Sequence, residues 1–84
     1  MKSSDIKKGV SFHGELGDMK FIGRIKDIYK KEFVILELIE LVPNQSFDTS
    51  VLWPVPALTQ IGIVEKISKS KYNCLRTLIL KGNE

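Results

Sequence analysis

The sequence predicts an all-β fold, with five or six short strands joined by tight turns and curled into a small barrel. Three observations lead there. Residues 19–29, "MKFIGRIKDIY", alternate between an apolar set (Met19, Phe21, Gly23, Ile25) and a mostly cationic one (Lys20, Ile22, Arg24, Lys26), the period of a strand with two unlike faces. Turn signals at Gly17-Asp18, Lys30-Lys31 and Pro43-Asn44 cut the chain into strand-length pieces. An 84-residue chain laid out as one flat sheet would expose an apolar face and two edges, and curling relieves both.

The elements follow in order. Residues 1–8 are polar and read as a flexible or short helical N-terminal segment, and residues 9–84 as a single small barrel domain. "GVSFHGEL" (9–16) is the first strand and 19–29 the second, with Gly23 marking a bend or a close approach and Ile22 a misfit on the cationic face. Lys30-Lys31 forms a hairpin tip. "EFVILELIELV" (32–42) is apolar on both faces, as in a central strand or a long bent one, and the opposed Glu37 and Glu40 suggest a bulge between them. A helix of about three turns is the alternative, because Leu and Glu are good helix formers. Residues 43–50 read as a loop, and "VLW" (51–53) as a short strand ended by Pro54 and Pro56, which lack the ladder donor. Residues 57–67 begin with a turn and resume as a strand through Ile61, Ile63 and Ile67, and "SKSKYN" (68–73) is a basic loop. Residues 74–82 read as a closing strand; a short terminal helix with Ser70 as N-cap and Gly82 past its last turn is the alternative.

Composition narrows the function classes. Apolar residues are 43 % and charged residues 27 %, which is globular rather than disordered. No apolar run approaches the roughly 20 residues that span a bilayer, and "MKSSDIKKG" lacks a signal-peptide core, so a cytoplasmic protein without a membrane partner is expected. The single cysteine, Cys74, excludes an internal disulfide and a cysteine-based metal cluster, and reads as a small buried apolar residue. With one histidine and no legible triad, phosphate loop or ligand spacing, no catalytic residue, metal or cofactor is expected, and the chain reads as a non-enzyme.

The stretch "GDMKFIGRIKDIYKKEFVILEL", with Gly17, Gly23, Ile25, Ile28 and "FVIL" (33–36), resembles the first half of Sm-like proteins, including the bacterial host-factor RNA chaperone; "VLWPVPALTQIGIV" is similar to the strand, turn and final strand that complete such barrels. The fold class that the resemblance implies is the SH3-like/Sm-like barrel. It also implies a ring-forming homo-oligomer that binds single-stranded RNA. The polar residue that such proteins place after the hairpin tip to hold a base is here replaced by Phe33-Val34.

Charge is distributed unevenly. Residues 1–31 carry eight Lys/Arg against four acids, residues 32–65 carry five acids and no Lys/Arg, and residues 66–84 carry five Lys/Arg and one acid. The acidic sector either faces basic stripes on neighbouring subunits or keeps a sheet edge soluble. The leading expectation is nucleic-acid binding, RNA before DNA. Lys20, Arg24, Lys26, Lys30 and Lys31 would neutralise phosphates beside Tyr29, with a second patch at Lys69, Lys71, Tyr72 and Arg76; both tyrosines would stack bases. The alternative is a protein-interaction module that uses Trp53, Pro54 and Pro56, a stiff apolar projection, together with exposed strand edges. A third reading places an anionic ligand between subunits of an oligomer.

Overall fold

A computed structural model describes residues 1–40, 49–60 and 62–82. One 3-10 turn (Ser3–Asp5) precedes strands β1 (Ser11–Leu16), β2 (Met19–Tyr29), β3 (Phe33–Glu40) and β4 (Thr49–Pro54). A short helix α1 (Val55–Thr59) leads to β5 (Val64–Ile67), and helix α2 (Lys69–Gly82) ends the described chain. The strands form one antiparallel sheet in the order β4-β3-β2-β1-β5. The strand number matches the all-β expectation. No ladder joins β4 to β5 among the described residues, so the sheet is open and those two strands are its edges.

The inner face holds the larger core. Phe12, Phe21, Ile25, Val34, Leu36, Leu58 and Val64 are buried there. Two reciprocal cross-strand pairs set its centre: Phe12 lies opposite Gly23, and Phe21 opposite Gly14. The phenylalanine rings meet edge to face at 6.4 Å. Each ring occupies the space that a side chain on the opposing glycine would need; a Cβ at Gly23 would stand 2.6 Å from Phe12 Cζ. Of the two readings of Gly23, close approach is the one found.

The outer face carries a second, smaller core of Ile22, Ile39, Ile67 and Tyr72, with Leu75 and Ile79 packed against it. It explains two features of the sequence. Ile22 is no misfit, because α2 covers it. β3 is apolar on both sides because Val34 and Leu36 point into one core and Ile39 into the other. No bend in β3 is required, and the bulge lies instead on β2, between Ile25 and Asp27.

Three expectations for the C-terminal half are corrected. Residues 69–82 form a helix, the alternative reading of the C-terminus, rather than a basic loop and a strand. Tyr72, Leu75 and Ile79 recur at the three-to-four-residue spacing that puts one helical stripe on the sheet. Its N-cap is Ser68 rather than Ser70: Ser68 Oγ accepts a hydrogen bond from the Lys71 amide at 3.1 Å. The predicted strand over 57–67 is shorter. Residues 55–59 are helical, with Pro56 in the first turn where a missing N–H costs nothing, and Ile63 lies in the turn before β5. The proposed Pro43-Asn44 loop and Ile61 lie outside the described residues, whereas Thr49 and Ser50 already belong to β4.

Candidate interaction surfaces

The cationic stripe of β2 is largely answered within the sheet. Arg24 lies directly opposite Glu37 on β3, and its guanidinium donates to the carboxylate at 2.8 Å. The same guanidinium sits 5.9 Å from the Tyr72 ring centroid, a cation–π contact. Lys20 faces Glu15 across the β1–β2 ladder at 3.9 Å, an exposed pair of small energetic weight. Lys26 is exposed and falls at the bulge, where strict alternation with Lys20 and Arg24 is lost. Acidic β3 therefore finds its positive partner within the chain at Glu37, which neither reading of the acidic sector anticipated.

The second patch is also rearranged. Tyr72 is 1 % exposed and holds α2 on the sheet, so it offers no face for a base. Lys69 and Lys71 are exposed on the first turn of α2, while Arg76 is half-buried. Cys74, expected in the core, is exposed on the same helix.

The hairpin tip keeps its predicted character. Tyr29 is 55 % exposed, and the Lys30 ammonium lies 5.3 Å from its ring centroid. Lys30 and Lys31 both have positive φ, 52° and 60°, and the Glu32 amide donates to the Tyr29 carbonyl at 3.1 Å. These are the φ signs of a type I′ turn, whose twist suits a hairpin but whose central residues are ordinarily Asn-Gly. Two lysines in left-handed backbone cost about 1–2 kcal/mol each. Replacing the pair by Lys30→Asn/Lys31→Gly is expected to raise stability by about 1 kcal/mol, measured by chemical denaturation. An unchanged or lowered midpoint would show that the lysines relieve that strain by other contacts.

Trp53, Pro54 and Pro56 converge on an apolar groove of about 520 Å³. Leu16, Phe21, Ala57 and Ile63 also line it, and Gln60 supplies an amide among otherwise apolar groups. Trp53 is half-buried, its ring edge-to-face with Phe21 at 5.6 Å. It therefore serves as both core residue and groove wall. Leu16, which also lines the groove, is 52 % exposed. The volume falls within the range of small-molecule and side-chain pockets.

Among the described residues no group of three or more His, Cys, Asp or Glu could hold a metal ion, and no helix is long and apolar enough to cross a membrane. Comparison with protein-family models, curated proteins and solved structures finds no match to the chain.

Proposed function

We propose that this domain is a non-enzymatic protein-interaction module whose groove receives an extended apolar segment of a partner, proline-containing by preference. The observation that carries this reading is the convergence of Trp53, Pro54 and Pro56 with Leu16 and Ile63 around one concave apolar site. Aromatic-lined grooves of this kind suit polyproline-type segments, which are already extended and lose little entropy on docking. Gln60 can donate to or accept from the partner's backbone, fixing its register.

Testing this reading calls for a variant that alters the groove and spares the core. Trp53 is unsuitable because it packs on Phe21. Leu16→Lys places a charge on an exposed wall residue. Its stability should stay within about 0.5 kcal/mol of the parent. A proline-rich decapeptide library titrated against Trp53 fluorescence should yield ligands that bind the parent and lose at least tenfold in affinity for Leu16→Lys. Ligands that bind both proteins equally, or a library with none, would remove the groove as the site.

One observation favours a second reading, nucleic-acid binding confined to the hairpin tip. An exposed tyrosine beside two lysines held in costly backbone geometry is an arrangement that stability alone does not favour. On this reading Lys30→Asn/Lys31→Gly gains stability but loses affinity for a generic single-stranded oligonucleotide. The slope of log affinity against log salt should become shallower by about 0.7 per lost phosphate contact. Unchanged oligonucleotide affinity in that variant would end this second reading.

A further inference from the structure

The two edges of the sheet are treated differently. On β5 the edge is engaged: the Met1 amino nitrogen donates to the Val64 carbonyl at 2.6 Å, and Lys66 pairs with Asp5 at 3.7 Å. On β4 no contact to the outward backbone is present among the described residues. The sequence of β4, "TSVLWP", is also the only one of the five strands with no charged residue. Charges on an exposed edge ordinarily discourage pairing with another chain, and here they are missing.

The hydrogen-bond phase of β4 follows from one contact. The Val55 amide donates to the Glu32 carbonyl at 2.9 Å, which makes 55 and 32 a bonded pair. Antiparallel ladders alternate bonded and non-bonded pairs. In this register Trp53–Val34 and Val51–Leu36 bond inward, and Ser50, Leu52 and Pro54 turn their backbone groups outward. Pro54 is tolerated because its missing N–H falls on the open side.

We propose that β4 pairs antiparallel with β4 of a second copy of this chain, about a two-fold axis at Leu52. This is the register that uses all three outward residues. The two Leu52 backbones bond each other in both directions. Each Ser50 N–H meets the carbonyl of Pro54 in the other copy, and because the proline returns no N–H each Ser50 carbonyl is left to solvent. The side chains fit the same axis. Leu52 is 60 % exposed and Phe33 37 % exposed on the outer face, with Ile35 directly opposite Leu52 on β3. The two-fold joins these apolar groups to their own copies. On the inner face it sets Val51 beside Trp53. Self-pairing places like residues near one another, so a charged strand would repel itself; uncharged β4 does not. A head-to-tail ring through β5 would have to displace the contacts of Met1 and Asp5, whereas the two-fold leaves both in place. The proposal does not depend on the groove being a peptide site.

Sedimentation equilibrium provides the test. The expected species has twice the 9.5 kDa mass of the chain. Leu52→Lys, on an exposed side chain, and Ser50→Pro, which removes an outward N–H, should both run as folded monomers whose melting temperature no longer depends on protein concentration, while Leu16→Lys remains dimeric. Chemical cross-linking reads the axis directly. Bonded pairs across an antiparallel ladder hold their Cα atoms about 5.5 Å apart, within disulfide reach. In a Cys74→Ser background, Leu52→Cys should oxidise to a covalent dimer and Lys26→Cys should not. A monomeric parent, a higher assembly, or a dimer untouched by Leu52→Lys and Ser50→Pro each overturns the proposal.

Discussion

Gly14→Ala is expected to lower the melting temperature by roughly 10–20 °C, the largest effect of any single methyl in the inner core. A Cβ at that position would lie 2.5 Å from Phe21 Cζ and 2.8 Å from the Ile63 carbonyl oxygen. The ring can tilt only against Phe12 and Trp53, which it meets edge to face. The carbonyl is less able to yield, because it accepts the Glu15 amide at 2.9 Å and moving it unzips the end of the β1–β5 ladder. The cost should be about 2–3 kcal/mol. An 84-residue domain holds of the order of 4–13 kcal/mol in total, so this is a large share. Gly23→Ala supplies the comparison. Its nearest obstacles are side-chain atoms of Phe12 and Leu38, which can shift rotamer, so it should be the milder variant. Urea denaturation of both proteins checks the order. If Gly23→Ala proves the more damaging, the backbone of Ile63 is more pliant than its bonding implies.

The same glycines show what the sequence revealed. β2 was legible because its alternation runs from Met19 to Ile25 with Ile22 alone out of phase, a period that no helix reproduces. The two-faced apolarity of β3 was legible as a central strand, although its cause was not. Only the helix lying on Ile39 accounts for it, and the sequence of that helix supports a strand as readily as a helix. The ambiguity is physical. Leu75, Thr77 and Ile79 alternate as a strand would, while Tyr72, Leu75 and Ile79 recur as a helix would, and Leu75 and Ile79 belong to both patterns. Tyr72 decides between them, and its basic neighbours made it look like a surface residue. Charge misled in the same way on β2. Cations along one strand face imply an external anion unless the neighbouring strand supplies one, and the register that sets Glu37 against Arg24 depends on pairing not written in either strand alone. The groove was half legible: Trp53, Pro54 and Pro56 stood out for stiffness and size, whereas Leu16 and Ile63 reach it only through the fold.

Tyr72→Ala separates the two roles that sequence and structure give this residue. As the largest fully buried side chain it should cost about 3 kcal/mol when truncated, because the second core loses its aromatic member and leaves a cavity beneath α2. Its loss also uncovers Arg24, whose guanidinium keeps only Glu37 of the two contacts described here. The helix should then loosen from β1 and β2, with less helical ellipticity and faster amide exchange over 69–82. Exchange in the inner core around Phe12 and Phe21 should be protected up to the lowered global stability. Leu78→Ala, on the same helix at 61 % exposure, should stay within about 0.5 kcal/mol of the parent and controls for helix propensity. A base-stacking tyrosine predicts the opposite pattern: unchanged stability and ellipticity, with oligonucleotide affinity reduced by about 1–3 kcal/mol. The two outcomes differ in stability and in ellipticity, so one variant measured by denaturation and by oligonucleotide titration decides whether Tyr72 anchors the helix or serves a ligand.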